Sequence, residues 1–529
     1  MNKVKLGSIL LLLLIYKPLW AQDADILIKN GRVVDGTGNS WYNADIAISS
    51  GKIIYIGKSK NIIATKTLDA KGLIVAPGFI DVHTHIEGAE ARNPTANNFI
   101  LDGVTTVVTG NCGGSNLDIQ KYFRTLDSIK LSINVATLIG HNTVRTQAMG
   151  TANRPPTQAE LQQMEALVAK AMKDGAVGFS TGLIYIPGTY SNTAEIVALA
   201  KVASQYNGVY ATHMRDEGDS VAEAINEAIT IAMQANIPVQ ISHFKLSGQQ
   251  NWGRSKQTVQ MIKEARANGL DLTIDQYPYT ASSTSLSTLI PEEILADGND
   301  SVKARLERPE VRKYVINNML KRLKKRKLKH FSYAVVASHR ADSSYNGKSI
   351  EEINLMKGKK HKAKYEAETV IELMLKGGAG MVFHGMGEND VRYIMQYPFN
   401  MFASDAGIRI YKQGVPHPRG YGTNARVLGK YVRDEKIISL EEAVRRMTSL
   451  PAQKFQLKDR GLLKEGMAAD IVLFDEKEVQ DLATFDDPHQ FSKGFKYVIV
   501  NGKTVVENGN HTGVRNGTNL TGPGTNKTF

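Results

Sequence analysis

Residues 78–85 read Gly-Phe-Ile-Asp-Val-His-Thr-His, an apolar run that ends in two histidines separated by one residue. Successive side chains of a β-strand point to opposite faces, so His83 and His85 would present both imidazoles on the same face. Two imidazoles held in this way form a metal-chelating pair. The stretch therefore predicts a strand whose end carries part of a metal site.

Four further side chains of the metal-ligating type each close a short apolar run elsewhere in the chain. They are Cys112 in Thr-Gly-Asn-Cys-Gly, His213 in Ala-Thr-His-Met, His243 in Ile-Ser-His-Phe-Lys and Asp405 in Ala-Ser-Asp-Ala-Gly. Cys112 is the only cysteine, and a free cysteine often serves merely as a small buried hydrophobe. Because it ends a strand-like run level with the histidine pair, we favour a thiolate ligand. Ligand-type side chains at so many strand ends make a metal-dependent enzyme the leading hypothesis.

Strand-like runs recur at the intervals that β/α units require. We predict barrel strands at 78–85, 104–112, 133–141, 175–182, 208–213, 238–243, 271–277 and 401–405, with helices such as 158–173, 220–235 and 255–268 between them. These units predict an α/β fold, a (β/α)8 TIM-type barrel spanning residues 77–450. All the proposed ligands then lie at the carboxyl ends of strands, where such barrels carry their chemistry.

Two regions fall outside this barrel. Residues 22–76 and 451–509 contain short strands broken by turns, and we expect both ends of the chain to form one small β-sandwich domain. Residues 285–396 are too many for an unstructured loop, so we predict an inserted subdomain before the last barrel strand that helps to cover substrate. The tail, residues 510–529, is rich in Asn, Thr and Gly and is predicted to be disordered.

The first 21 residues have the pattern of a secretory signal peptide. Two lysines precede an apolar stretch at 9–16, and Ala21 is the expected cleavage point. The apolar stretch is too short to span a bilayer, so a transmembrane anchor is the less favoured interpretation. We expect an exported protein, either periplasmic or secreted. With a single cysteine it can form no intramolecular disulfide.

The net charge of +13 raises the question of a nucleic-acid partner. Much of the excess comes from residues 321–329, Lys-Arg-Leu-Lys-Lys-Arg-Lys-Leu-Lys, and no aromatic-interleaved or nucleic-acid-binding motif accompanies them. We interpret this run as a solvated helix face within the insertion, with contact to an anionic envelope surface as the alternative. No nucleic-acid partner is predicted.

Over nearly its whole mature length the chain resembles the N-acyl-D-amino-acid deacylases, or D-aminoacylases, of the metal-dependent amidohydrolase superfamily. The histidine pair alone would indicate only the superfamily. Many of its members use a carboxylated lysine on a later strand as the bridging ligand, and 133–141 and 175–182 contain no lysine. The cysteine is therefore the narrower marker. The motifs that carry the resemblance include Pro-Gly-Phe-Ile-Asp-Val-His-Thr-His at 77–85, Gly-Val-Thr-Thr-Val-Val-Thr-Gly-Asn-Cys-Gly at 103–113, Thr-His-Met-Arg-Asp-Glu at 212–217, Asn-Trp-Gly-Arg-Ser at 251–255 and Tyr-Pro-Tyr-Thr at 277–280.

This resemblance implies zinc-dependent hydrolysis of the amide bond of N-acyl-D-amino acids. It implies one tightly bound zinc ion at Cys112, His213 and His243, and a second, weaker site at His83, His85 and Asp405. Asp405 would also move the proton from water to the departing amine, although simple ligation is an alternative role. The substrate carboxylate would be bound by Lys245, Tyr277 and Arg419, for each of which an ordinary structural role is the alternative.

Three other functions are weighed against this one. A hydrolase of cyclic amides, of the hydantoinase or dihydropyrimidinase kind, would share the barrel and the histidine pair. A dipeptidase or a deacylase for acidic D-residues would share the whole site, because pocket residues outside the motifs set side-chain choice. A noncatalytic binding protein on an inactive barrel is the third, and the complete set of ligand residues argues against it. The partner in every enzymatic case is a small molecule, and the oligomeric state is left open.

Overall fold

A computed structural model of the protein describes residues 22–59 and 61–526, so the expected signal peptide at 1–21 lies outside the described residues. The chain begins with strands that alternate between buried and exposed positions. Tight turns connect several of them, and β1 pairs antiparallel with β2 and parallel with β4 and β5. These strands are β1 (Gln22–Val33), β2 (Tyr42–Ser49), β3 (Lys52–Gly57), β4 (Ile62–Asp69) and β5 (Ile74–Pro77).

A run of parallel strands follows, each buried along its whole length, as is usual for parallel strands covered on both faces. Their hydrogen-bonded order follows the sequence, first from β6 to β8 and then from β9 to β13. The strands are β6 (Phe79–Asp81), β7 (Val104–Thr109), β8 (Asn134–Thr137), β9 (Ile139–Gly140), β10 (Gly178–Gly182), β11 (Val209–His213), β12 (Val239–Ile241) and β13 (Leu272–Gln276).

Helices connect these strands and pack their apolar faces toward them. The longest, α4, starts with a capping box in which Thr157 and Glu160 satisfy each other's backbone N–H groups, and it ends at Gly175 with φ +117°. The helices are α1 (Asn97–Ile100), α2 (Ile119–Ile129), α3 (His141–Met149), α4 (Gln158–Asp174), α5 (Thr193–Gln205), α6 (Val221–Ala235) and α7 (Ser255–Ala267).

An inserted unit separates β13 from the next parallel strand. It has an antiparallel sheet in the order β14, β16, β15 and a hydrophobic core of its own around Val315, Met319, Ile350 and Val370. Its elements are β14 (Ala281–Ser285), α8 (Asn299–Glu307), α9 (Pro309–Lys325), β15 (Ala334–Ser338), α10 (Ile350–Met356), α11 (Ala363–Leu375) and β16 (Gly380–His384). These elements begin a few residues before the expected start at 285 and end well before 396.

The parallel strands return through α12 (Glu388–Met395), which contacts α7, and β17 (Asn400–Phe402), which pairs parallel with β13. Just beyond β17 the chain meets the end of β6. Asp405 N donates to His83 O at 2.9 Å, and His85 N donates to Ala406 O at 2.9 Å. These bonds bring the last and first parallel strands side by side.

The C-terminal part first adds helices against the parallel strands and then rejoins the N-terminal strands. β18 pairs antiparallel with β5, so strands from both ends of the chain form one nine-stranded sheet. None of the described helices is both long and apolar enough to cross a membrane. The elements are α13 (Arg419–Arg426), a π-helix (Val427–Asp434), α14 (Leu440–Met447), α15 (Ser449–Lys454), β18 (Ile471–Phe474), β19 (Phe495–Val500), β20 (Lys503–Glu507) and β21 (Asn510–His511).

The tail differs from the disorder expected for 510–529. Within its described part, 510–526, the residues from 517 to 522 run along the edge of the parallel strands, where Gly517 N donates to Leu131 O at 2.8 Å and Leu520 N donates to Val135 O at 2.8 Å. A Cβ on Gly517 would lie 2.0 Å from Ile133 O, so only glycine allows this approach. The prediction of disorder was wrong for these residues because main-chain hydrogen bonds, rather than apolar side chains, hold them in place.

Candidate metal centre and active site

The proposed metal ligands all lie at the carboxyl ends of parallel strands. Five different strands supply them, which is why they are far apart in sequence and close in space. The residues are His83 and His85 after β6, Cys112 after β7, His213 at the end of β11, His243 after β12 and Asp405 after β17.

Cys112 lies at the centre of this cluster. Its Sγ atom is 3.3 Å from His83 Nε2, 3.7 Å from His213 Nδ1 and 3.7 Å from His243 Nε2. The rings of His213 and His243 cross at 77° with centroids 4.3 Å apart, so both present one nitrogen to the sulfur. The thiol and three imidazoles therefore share one small volume.

Asp405 lies beside the histidine pair. Its Oδ1 atom is 3.2 Å from His85 Nε2 and 3.5 Å from His83 Nε2, while its Oδ2 atom is 2.8 Å from Arg419 Nη1. One carboxylate oxygen thus points to the histidines and the other to a guanidinium. This geometry allows Asp405 both to ligate a metal ion and to stay paired with a fixed positive charge.

Three of the ligands adopt a backbone conformation that side chains other than glycine rarely take. The φ angles are +53° at Cys112, +36° at His243 and +50° at Asp405. Such left-handed residues cluster at functional sites because the surrounding structure holds them there. Next to Cys112, Gly113 has φ +78°, and a Cβ there would lie 2.4 Å from Asn142 Oδ1. The turn at residues 111–113, Asn-Cys-Gly, therefore directs the sulfur of Cys112 toward the histidines.

The electrostatics favour the anionic forms that metal binding requires. Burial opposes ionisation of Cys112, but the nearby imidazoles, above all His83, outweigh it and lower the pKa of the thiol well below its usual value. Burial likewise opposes ionisation of Asp405, and Arg419 and His83 reverse this, so the pKa of the carboxyl is also well below normal. Both shifts therefore favour the anionic form of the group.

Glu217 and Lys245 contact two of the histidines that are predicted to bind metal. Glu217 Oε1 lies 2.8 Å from His243 Nδ1 and accepts a hydrogen bond from Lys245 Nζ at 2.5 Å, while its Oε2 is 3.9 Å from His213 Nε2. Carboxylates in this position fix the tautomer and orientation of ligand imidazoles.

The side chains expected to bind a substrate carboxylate lie together next to Asp405. The Arg419 guanidinium stacks over the Tyr277 ring at 4.5 Å, and Lys245 Nζ lies 5.7 Å from the same ring on another side. Burial raises the pKa of Tyr277 to about 12 despite these cations, so its hydroxyl remains a hydrogen-bond donor. Lys245 is already held by Glu217 and His243, so its ammonium is shared with the metal-ligating residues.

Three residues important to the site were not singled out from the sequence. Asp275 Oδ1 accepts a hydrogen bond from His243 N at 2.8 Å, and Asp81 accepts one from His83 N at 3.1 Å. Each carboxyl lies in an otherwise apolar or uncharged buried strand, which is the signal that could have found them. His417 donates from Nε2 to Ala281 O at 2.9 Å and accepts from Arg419 N at 3.0 Å, and so it orients the arginine.

His141, by contrast, takes no part in the cluster. A histidine at the end of the predicted strand 133–141 is compatible with a role at a carbonyl oxygen or with a structural role. Its Nε2 atom lies 2.8 Å from Glu195, which also binds Arg145, and all three side chains are buried. The structural interpretation is the one that agrees with this geometry.

The cluster opens into a cavity of about 890 Å³ between the parallel strands and the inserted unit. His213, His243 and Asp405 lie on its wall together with Lys245 and Tyr277. The inserted unit supplies much of the remaining wall, including Ser282, Ser283, Thr284, Arg322, Lys325, Arg326, Phe331 and Tyr333. A small molecule with an amide and a carboxylate fits a space of this size and character.

The thiolate, imidazole and carboxylate groups of the cluster are suitable ligands for zinc. Three overlapping groups have all their ligand atoms within 4.8 Å of one another: His83 with His85 and Cys112, Cys112 with His213 and His243, and His83 with His243 and Asp405. Thiolate and imidazole ligands suit zinc, and the carboxylate adds an oxygen ligand. The residues present can therefore hold one ion at the sulfur and a second one next to it.

A known protein family and several of its members match this sequence over most of its length. The amidohydrolase family model matches residues 66–506. The chain is 35% identical over 503 residues to N-acyl-D-glutamate deacylase from Alcaligenes xylosoxydans xylosoxydans, which covers 91% of this chain and 93% of that protein. It is 34% identical over 516 residues to D-aminoacylase from the same organism, which covers 93% and 96%.

Its fold is similar to that of a solved structure as well. N-acyl-D-glutamate deacylase from Bordetella bronchiseptica, complexed with zinc and a phosphonate inhibitor that mimics the tetrahedral intermediate, superposes with a TM-score of 0.81 at 33% identity. The superposition covers 94% of this chain and 100% of the other. The expected family resemblance is confirmed: the chain belongs to the amidohydrolase family.

Proposed function

We propose that this protein is a zinc-dependent deacylase that hydrolyses N-acyl-D-amino acids to a carboxylic acid and a free D-amino acid. The observation that carries the proposal is the arrangement of Asp405, with one oxygen toward the histidines and the other on Arg419. It puts a metal centre and a carboxylate-binding group side by side. The relatives that match nearly the whole chain are an N-acyl-D-glutamate deacylase and a D-aminoacylase.

We infer that the parallel strands form a closed (β/α)8 barrel, with the nine-stranded sheet as the small β domain. The parallel pairings run from β6 to β8 and from β9 to β17, and the hydrogen bonds around Asp405 join the two ends. β8 and β9 are separated only by Leu138. A closed barrel accounts for the ligands converging at one end, because all its strands point the same way.

In this proposal Cys112, His213 and His243 hold the tighter zinc ion, and His83, His85 and Asp405 complete a weaker second site. Bound zinc would acidify a water molecule and polarise the amide carbonyl. The low pKa of Cys112 supports its role as a thiolate ligand. Glu217 and Asp275 keep the histidines oriented.

Asp405 is the proposed proton carrier. Its Oδ1 atom lies beside the histidine pair, where it would accept a proton from the attacking water and deliver it to the leaving amine. Arg419 holds the other carboxylate oxygen and fixes the direction in which the free one points. General acid–base help of this kind contributes about 10²–10⁴-fold to a rate.

Arg419 and Tyr277 are the proposed anchor for the substrate carboxylate. The guanidinium provides a planar fork that matches a carboxylate, and the protonated Tyr277 hydroxyl can donate a further hydrogen bond. Lys245 remains the third predicted contact. Because its ammonium already binds Glu217, we expect it to stabilise the position of His243 as well as the substrate.

A more specific candidate is a deacylase for acidic D-residues, and the inserted unit favours it. Arg322 and Arg326, from the basic run that was expected to be a solvated helix face, lie on the cavity wall. Within residues 22–59 and 61–526 neither forms an ion pair; Arg322 donates to Thr288 O, and Arg326 stacks over Tyr333. Two guanidinium groups facing the cavity suit a substrate with a second negative charge.

Replacing Arg326 with alanine tests this candidate. For N-acetyl-D-glutamate the expected loss in kcat/KM is about 10–100-fold, the range for one charge-assisted hydrogen bond, with little change for N-acetyl-D-methionine. Lys321→Ala, in the same run but away from the cavity wall, is the control and should change neither. Equal losses on both substrates would remove the acidic-residue candidate and leave the general deacylase.

The general proposal is tested by amine release from matched N-acetyl-D- and N-acetyl-L-amino acids. We expect turnover of the D series only, lost on chelation and restored by zinc. Turnover of cyclic amides with none of the linear series would favour the hydantoinase-like alternative. Turnover of D-dipeptides alone would favour the dipeptidase alternative.

We also propose that residues 1–21 direct export and are removed after Ala21. The support is the pattern of the sequence itself. Fractionation of the producing cells, with determination of the N-terminal residue of the purified protein, tests this directly. An N-terminus at Gln22 in the exported fraction is expected, and an intact N-terminus in the cytoplasm would contradict export.

A further inference from the structure

A second group of metal-ligating side chains lies in the inserted unit, apart from the candidate active site. His330, Glu351, His361 and Glu366 each offer one ligand atom, and these four atoms all lie within 4.8 Å of one another. This is the same spacing criterion that the cluster around Cys112 meets. The predicted function of the protein does not account for this second cluster.

The four side chains contact one another closely. His330 Nδ1 is 2.6 Å from Glu366 Oε1 and 3.6 Å from Glu351 Oε1, while His361 Nε2 is 2.5 Å from Glu351 Oε1. The two imidazoles are stacked with their centroids 4.1 Å apart. The contacts therefore run from Glu366 through His330 and Glu351 to His361, with carboxylates and imidazoles alternating.

The burial of the cluster suits an ion with a protein-lined inner side and an accessible outer side. The Glu366 carboxylate is fully buried, and its other oxygen accepts a hydrogen bond from Phe331 N at 2.7 Å. His361 is half exposed, and His330 and Glu351 are partly exposed. An ion can enter from solvent past His361, and the buried carboxylate then provides a fixed negative charge.

Two nitrogens and two oxygens are a ligand set for zinc and not for calcium or magnesium, which prefer oxygen alone. Zinc–ligand bonds of about 2.0–2.2 Å place the ligand atoms of a tetrahedral site about 3.3–3.5 Å apart. Binding an ion would require these atoms to shift and the two stacked rings to reorient, and the half-exposed His361 can move most easily.

We propose that these four residues form a structural zinc site that cross-links the inserted unit. The ligands come from the segment before β15, from α10, from the loop after it and from α11. The chain has a single cysteine, so no disulfide can make this link. Phe331, next to His330 and bonded to Glu366, lies on the wall of the active-site cavity, so the ion would also hold that wall.

Zinc content measured at fixed free zinc concentration tests the proposal. We expect His361→Ala to bind one zinc ion per chain fewer than the wild type, and Glu351→Gln to show the same loss. His384→Gln, which removes another exposed histidine of the inserted unit, is the matched control and should keep the wild-type content. Circular dichroism confirms that each variant is folded.

Equal zinc content in the wild type and all three folded variants would overturn the proposal and leave the cluster as ion pairs only. The test is independent of the catalytic proposal, because the ligands around Cys112 are unchanged in every variant. Hydrolysis of a small N-acetyl-D-amino acid should therefore persist in His361→Ala. Added zinc should raise the melting temperature of the wild type and His384→Gln further than that of His361→Ala.

Discussion

At the scale of single residues, Cys112 is the most informative position. The turn around it has a left-handed backbone, and the sulfur is within 3.7 Å of three imidazoles. A buried inert cysteine would need neither feature. The geometry therefore agrees with the thiolate ligand expected from the sequence.

Replacing Cys112 with alanine should abolish tight zinc binding, because the tighter site would retain only two imidazoles. Turnover should fall with the zinc content. Metal analysis after gel filtration, combined with amine release from an N-acetyl-D-amino acid, measures both. A variant that keeps stoichiometric zinc and normal turnover would show that the thiolate is not a ligand.

Arg419 is the second informative residue, because it either binds the substrate carboxylate or acts only by holding Asp405. Arg419→Ala should lower kcat/KM for free-acid substrates by about 10–100-fold more than for their carboxamide analogues, because only the free acid loses a charge-assisted hydrogen bond. Arg419 also binds Asp405, and the loss of that contact should slow hydrolysis of both kinds of substrate. Only the difference between the free acid and the carboxamide therefore reports on binding of the substrate carboxylate. Equal losses would mean that Arg419 acts only through Asp405.

The site residues that lie on motifs stand out in the sequence. The residues that support them from other strands do not. Cys112 and His243 each end an apolar run, and this pattern is visible in the chain. Asp275 supports His243 from the neighbouring strand, and the bond between Lys245 and Glu217 joins two segments. Such pairs depend on strand register, which no local pattern specifies.

At the scale of elements, the predicted strands agree with the structure because the parallel strands are short, fully buried and followed by polar side chains. The predicted run at 104–112 contains β7, and the run at 208–213 contains β11. The tail was less predictable. It has few apolar side chains, and backbone bonds such as that from Gly517 to Leu131 leave no mark in its composition.

Helix α15 contains a buried lysine that gives a pH-dependent prediction. Lys454 donates from Nζ to Asp271 at 2.9 Å, and burial lowers the pKa of Lys454 to about 8 from 10.5. Below pH 8 Lys454 is charged in the folded protein, and the cost of burying this charge then lowers the free energy of unfolding by its full amount. Between pH 8 and 10.5 the unfolded chain keeps this proton while the folded one loses it, so this contribution to the free energy of unfolding rises with pH.

The size of this effect follows from one pKa unit being about 1.4 kcal/mol, which gives at most about 3 kcal/mol over the whole range. Urea unfolding at several pH values, in the wild type and in Lys454→Met, isolates the lysine. As the pH rises, the free energy of unfolding of the wild type should increase relative to that of Lys454→Met. A difference independent of pH would contradict the lowered pKa.

At the scale of the whole molecule, catalysis and substrate choice are assigned to different parts of the chain. The parallel strands supply every proposed ligand of the catalytic metal centre, while the inserted unit supplies much of the cavity wall. Strands position side chains more rigidly than loops do, so the metal centre can stay fixed while the wall varies.

The central claim is that Asp405 moves the proton at a zinc centre that acts on D-substrates. The most direct measurement compares wild type and Asp405→Asn for amine release from paired N-acetyl-D- and N-acetyl-L-amino acids, with zinc content determined on the same samples. We predict D-selective turnover in the wild type and a loss of at least about 100-fold in the variant, with the zinc ion at Cys112 retained. Wild-type turnover by Asp405→Asn, or equal rates on both enantiomers, would contradict the account.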